Sequence, residues 1–154
     1  MEDYSASSEY PLDKCLQDIS DSEIYIGIFA YRYGYIPKDK GYYDKSITEL
    51  EYLHAVKTKK EILIFLVHED IPWLPKFIDK DLSNIERLKK ELEKNTIVDY
   101  FKSEDHLASI VSSAVSKIVP KLTKGKSNKG IEGKNYEPDN YVLKLKESYL
   151  NYIG

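Results

Sequence analysis

Two short apolar runs constrain this chain more than anything else in it. Ile24-Tyr25-Ile26-Gly27-Ile28-Phe29 and Ile62-Leu63-Ile64-Phe65-Leu66-Val67 are almost without polar side chains, and each has the length of a strand. A strand that is apolar at every position is buried on both faces, which is the situation in a parallel sheet covered by helices. Parallel neighbours need a long crossover, and the residues between the two runs are numerous enough to supply one.

The remaining segments fall into step with that reading. Pro11 followed by Leu12, Cys15, Leu16 and Ile19 has helical spacing, with proline where a first turn tolerates it. Ser46-Ile47-Thr48-Glu49 has capping-box spacing, in which serine and glutamate satisfy each other's backbone N–H groups. It opens a helix that continues through Leu50, Leu53 and Val56. Ser83-Asn84-Ile85-Glu86 repeats the pattern ahead of Leu88 and Leu92. Thr96 to Phe101 is a third, weaker strand signal. Leu107, Ile110, Val111, Ala114, Val115 and Ile118 form a helical stripe expected to end at Pro120. Alternation of helix and strand at this spacing predicts right-handed βαβ units and a mainly parallel, three-layered sheet of the flavodoxin-like kind. Residues 121–137 lose nearly all apolar character and read as a flexible linker. Residues 138–154 read as the start of a helical segment, with Tyr141, Leu145, Tyr149, Leu150 and Ile153 on one stripe.

Composition removes several function classes. A formal net charge of −3 gives no general reason to expect nucleic-acid or anionic-membrane binding, and no apolar run is long enough to span a bilayer. The single cysteine, Cys15, precludes an internal disulfide and fits a reducing, cytoplasmic setting as a small core residue. His54, His68 and His106 are scattered, so no metal site is expected, although Glu51 and His54 make one Glu-x-x-His. Neither a dinucleotide fingerprint nor a P-loop is present.

What remains is a carboxylate near the carboxyl ends of the strands, where open α/β sheets bind ligands. Glu49 already has a capping role. Glu51 lies beside an apolar strip made by Ile47 and Ala55, and is either a surface charge or a site residue. The loop leaving the first strand supplies Arg32 as a cation and Tyr31, Tyr33 and Tyr35 as flat surfaces. Trp73, stiffened by Pro72 and Pro75, adds another wall. The plainer reading of these side chains is that Arg32 pairs with a neighbouring acid and the tyrosines cover the end of the sheet.

The stretch Asp21 to Pro37, with Arg32-Tyr33-Gly34, together with Ser46-Ile47-Thr48-Glu49-Leu50-Glu51-Tyr52, Ala55 and the strand at Ile62–Val67, resembles the domain of unknown function 4062 family. The resemblance covers residues 1–120. It implies a TIR-like α/β domain that precedes a NACHT or related STAND-type ATPase in signalling and defence proteins. The same helix is similar to that of TIR-domain NADases and nucleoside deoxyribosyltransferases, in which a glutamate is followed four residues later by a small residue. Thr48, Glu51, Ala55 and Lys59-Lys60 match that order, and the resemblance therefore points to Glu51 as the catalytic carboxylate.

Implied with it are Arg32, Tyr33, Tyr35 and Trp73 as substrate-binding residues and NAD or a related nucleotide as substrate, with no bound cofactor. A non-catalytic interaction module is the alternative. The implied partners are further copies, other TIR-like domains and the downstream ATPase module. In the family pattern a strand and helix with a Phe/Ile-Ser-Ser-Thr-like motif come first, so the expectation is that those elements precede Met1.

Overall fold

The structure, a computed structural model, describes residues 11–38 and 44–126. Its elements alternate as α1 (Pro11–Asp21), β1 (Ile24–Phe29), α2 (Ile47–Lys57), β2 (Glu61–Val67), α3 (Ser83–Asn95), β3 (Val98–Phe101) and α4 (Glu104–Lys126), with a single 3-10 turn at Pro75–Phe77. The strands form a three-stranded parallel sheet in the order β1-β2-β3, an α/β architecture in keeping with flavodoxin-like and TIR-like folds. β1 and β2 pair from Ile24 against Glu61 to Phe29 against Leu66. The chain divides into two compact units with the boundary between Tyr100 and Phe101. The first holds α1 to α3 and β1 and β2; the second holds α4.

One face of the sheet carries the core of the first unit. Tyr25 and Phe29 of β1 and Ile64 and Leu66 of β2 alternate onto it, and Tyr52 and Ala55 of α2 and Ile85, Leu88 and Leu92 of α3 cover it. The α3 residues recur at helical spacing, which is why one side of that helix is buried and the rest is charged. Gly27 lies between Tyr25 and Phe29 on the same face. A Cβ there would sit 2.6 Å from Phe29 Cε2 and 3.0 Å from Ile64 Cδ1, so the ring of Phe29 occupies the space a side chain would need. Ile24, Ile26 and Ile28, on the opposite face, are half-buried, not fully buried as the continuous apolar run suggests. Among the described residues β1 is an edge strand, and edges stay open to solvent.

Local signals place the helix ends with two corrections. α2 closes on Thr58 with Lys59 at φ 54°, Lys59 N–H bonding Val56 O at 3.1 Å and Lys60 N–H bonding Ala55 O at 3.0 Å. That is a Schellman ending in which lysine takes the place usual for glycine. Lys60 Nζ then donates to Ser20 O at 2.6 Å and Ser22 O at 2.7 Å, placing a cation at the C-terminus of α1. The second capping box is not formed: Asp81 accepts the Ser83 N–H at 2.9 Å and Leu82 precedes the helix without a side-chain cap. A carboxylate two residues upstream reaches the backbone first. α4 does not end at Pro120 but continues through it to Lys126. Proline forfeits one backbone bond, and Thr123 Oγ1 binds the carbonyls of Val119 and Pro120, both at 3.1 Å, within the next turn. The remainder of the expected linker and the expected helix over residues 138–154 lie outside the described residues.

The crowding at Gly27 makes a direct test of this packing. Gly27→Ala is expected to destabilise the protein by about 1–3 kcal/mol, the usual cost of forcing an extra carbon into a packed core. An unchanged urea midpoint would show that Phe29 and Ile64 give way freely.

Candidate functional site at the start of α2

The loop leaving β1 and the first turn of α2 are built against each other. Gly34 has φ 96°, and a Cβ at that position would come within 3.1 Å of Thr48 Oγ1, so the loop approaches the helix closely only because position 34 is glycine. The Ile47 N–H donates to Tyr35 O at 2.9 Å, and Ser46 Oγ accepts the Glu49 N–H at 3.2 Å, the first half of the capping box. The second half is relayed. Ser46 N–H donates to the Tyr33 hydroxyl at 3.2 Å, and that hydroxyl donates in turn to Glu49 Oε2.

Glu49 is 1% exposed and sits at the centre of a clamp. Arg87 of α3 holds it with both arms, Nη2 to Oε2 at 2.6 Å and Nη1 to Oε1 at 3.2 Å, and Lys45 Nζ reaches Oε1 at 2.9 Å. The Arg87 guanidinium also lies over the Tyr33 ring, 5.8 Å from its centroid. Burial opposes the carboxylate charge, but the bonds from Arg87, Tyr33 and Lys45 outweigh it and hold Glu49 at a pKa of about 2. The Tyr33 hydroxyl is pushed the other way, by its own burial and by the carboxylate it serves. The main chain of the same loop is tied down by Asp79, whose Oδ2 accepts the Tyr33 N–H at 2.7 Å and whose N–H donates to Tyr31 O at 3.0 Å.

Glu51, two residues along the same helix, is in a different environment. It is half-buried, its pKa is raised by burial, and a bond from the Cys15 thiol of α1 only partly offsets that. Its charge is felt by Tyr25, whose hydroxyl is shifted upward by burial and then by Glu51. The helix carrying Cys15 is fixed to α2 by Ser20 Oγ and His54 Nε2, 2.8 Å apart, as well as by Lys60.

The other expected site residues have neighbours of their own. Arg32 is exposed, with its guanidinium 6.0 Å from the centre of the Phe77 ring. Tyr33 is buried in the Glu49 clamp, and Tyr35 is 64% exposed. Trp73 packs edge-on against Tyr31 at 5.8 Å, and its Nε1 is buried without a hydrogen-bond partner among the described residues. The structure thus brings Tyr33 to Glu49 and Trp73 to Tyr31, while Glu51 and Arg32 have separate neighbours. Sequence reasoning missed Arg87. A signal existed: Arg32 and Arg87 are the only arginines among 23 basic residues, and arginine is the cation suited to bidentate capture of a buried carboxylate.

Fold and site define an α/β protein with a parallel sheet whose first crossover helix carries two glutamates, two residues apart, with carboxyls shifted in opposite directions. The model of the family described as "Domain of unknown function (DUF4062)" matches residues 1–116. The chain belongs to that family. No curated protein and no solved structure matches it.

The two glutamates are expected to respond oppositely to pH. Glu49 has a depressed pKa in the folded state, so its contribution is complete above the ordinary carboxylate range and is lost as the pH falls from about 4.5 to about 2. Glu49→Gln is expected to cost about 2–4 kcal/mol at pH 7, because it leaves two cations facing a neutral amide. Glu51 has a raised pKa, so its ionisation opposes folding above the ordinary range, and Glu51→Gln is expected to be neutral or stabilising at pH 7. Urea unfolding of both variants between pH 2 and pH 8 checks the signs. A Glu49→Gln protein as stable as the parent at pH 7 would show that the clamp does not hold the fold.

Proposed function

We propose that this chain is a TIR-like signalling or effector domain of a cytoplasmic STAND-type ATPase, and that Glu51 acts on the N-glycosidic bond of NAD or a related nucleotide. The observation that carries the reading is the division between the glutamates. Glu49 has its acceptor sites taken by Tyr33, Lys45 and Arg87. Among the described residues Glu51 makes no ion pair, and it is held in a half-buried setting that raises its pKa. As the bond from C1′ to the base nitrogen breaks, the electron pair leaves with the base and positive charge develops on the ribose. A carboxylate kept from neutralising partners is suited to stabilise that charge or to attack C1′, as in glycoside hydrolysis. In this reading Arg32, Tyr35 and Trp73 are the residues to receive phosphate and base, and Tyr33 acts through Glu49.

A second reading, a non-catalytic module that self-associates or joins other TIR-like domains, is favoured by one observation. Leu53 and Val56, three residues apart on α2, are 39% and 47% exposed.

The test uses a full-length protein carrying this domain. Glu51→Gln is expected to abolish release of nicotinamide from NAD, a loss of at least 100-fold, with an unchanged melting temperature. Glu49→Gln is expected to lower activity only as far as it lowers the folded fraction. Full activity in Glu51→Gln would refute the catalytic assignment. Absence of activity in the parent, together with loss of self-association in Leu53→Asp/Val56→Asp, would establish the second reading.

A further inference from the structure

Away from Glu51, the carboxyl end of β2 opens into a cleft of about 380 Å³. That volume is within the range of small-molecule sites, and the carboxyl ends of parallel strands are where such folds bind ligands. Leu66 and Val67 of β2 form its closed floor, almost without exposed surface, and its accessible apolar part is the rings of Tyr31 and Tyr100. Its polar part comes from α3 and from the turn after β2.

Lys89 and Glu93 are four residues apart on α3, the spacing at which a helix closes its own ion pair. Here the pair is open. Lys89 Nζ lies over the Tyr31 ring, 4.6 Å from its centroid, and makes no ion pair among the described residues. Glu93 instead accepts the hydroxyl of Tyr100. Burial lowers the pKa of Lys89, with Glu93 and Glu86 acting against that, as expected for a half-buried ammonium lacking a contact partner. His68 is set edge-on to Tyr100 at 6.3 Å, with its Nδ1 3.2 Å from the Asp70 backbone nitrogen and 3.4 Å from Asp70 Oδ2. The cleft therefore offers an ammonium and an imidazole, and beside them the carboxylates of Glu93 and Glu69.

A simple anion placed there meets two carboxylates, and a simple cation meets Lys89. A molecule carrying both charges a few ångströms apart meets a partner for each. We infer that this cleft binds a small zwitterion with an apolar body, a free α-amino acid with an aromatic or aliphatic side chain. Its carboxylate would face Lys89, its ammonium Glu93, and its side chain the rings of Tyr31 and Tyr100.

L-Phenylalanine is the probe, titrated into the 15N-labelled 154-residue chain. Saturable amide shifts confined to the end of β2 and to α3 around Lys89 and Glu93 are expected. 3-Phenylpropionate and 2-phenylethylamine, each lacking one charge, are expected to bind at least tenfold more weakly. Lys89→Gln and Glu93→Gln should each weaken phenylalanine binding at least tenfold, and Lys89→Arg should retain it. Dispersed spectra of the variants separate lost binding from lost fold. No saturable shift up to the solubility limit, equal binding of either singly charged analogue, or undiminished binding by both Gln variants would overturn the inference. None of these outcomes depends on Glu51 or on nucleotide cleavage, so the two readings stand or fall apart.

Discussion

A buried carboxylate with four donors organises the first unit of this protein. An ionised glutamate has about four acceptor positions, and at Glu49 the Tyr33 hydroxyl, the Lys45 ammonium and the two arms of Arg87 fill them. Removing that charge from water costs several kcal/mol, and only a near-complete set of charge-assisted bonds returns it. The partners come from both ends of the loop between β1 and α2, Tyr33 and Lys45, and from α3, so one carboxylate joins that loop, α2 and α3. With every acceptor position occupied, Glu49 has nothing left to offer a ligand, which is the physical ground for separating it from Glu51.

Fixing that corner sets the loops at the carboxyl edge. Asp79 ties the segment after β2 to Tyr31 and Tyr33 through main-chain bonds, and Trp73 packs on Tyr31 within the same pair of loops. Several of the 14 tyrosines have a structural task here. Tyr25, Tyr33 and Tyr52 are core residues, and Tyr33 uses its hydroxyl to relay a helix cap. A phenylalanine at position 33 would fill the same space but leave both Ser46 N–H and one Glu49 oxygen short of a partner.

Where the sequence was legible, it was so because the information was local. β1 and β2 announce themselves as continuous apolar runs, and Ser46 marks the start of α2 because its hydroxyl bonds a backbone group three residues away. The structural task of Glu49 was also legible in part, since capping spacing assigns it one. The relay through Tyr33 was not, because it joins residues 13 and 16 apart, and the grip of Arg87 on Glu49 spans 38. Periodicity carries no record of such pairings. Pro120 misled for a related reason: it ends a helix by a local rule, yet one missing backbone bond is a small term in a helix of 23 residues. Composition did hold an unused clue, the scarcity of arginine, whose few copies in a lysine-rich chain are best spent where a rigid fork is needed.

The state of Glu51 depends on α1. Burial is the larger influence on its carboxyl and the Cys15 thiol the smaller, and Cys15 belongs to a helix attached through its C-terminal end. That end is held by Lys60 on the carbonyls of Ser20 and Ser22 and by His54 on the Ser20 hydroxyl, while Leu12 is fully buried and Ile19 packs on the core. Polar bonds of this kind each contribute about 1 kcal/mol and fix the orientation of a helix whose apolar side chains are also buried. A displacement of α1 would take the Cys15 bond from Glu51 and leave burial to act on its carboxyl alone. The two glutamates thus differ in what they answer to: Glu49 is locked by cations from the loop before α2 and from α3, whereas Glu51 answers to burial and to the thiol of a neighbouring helix.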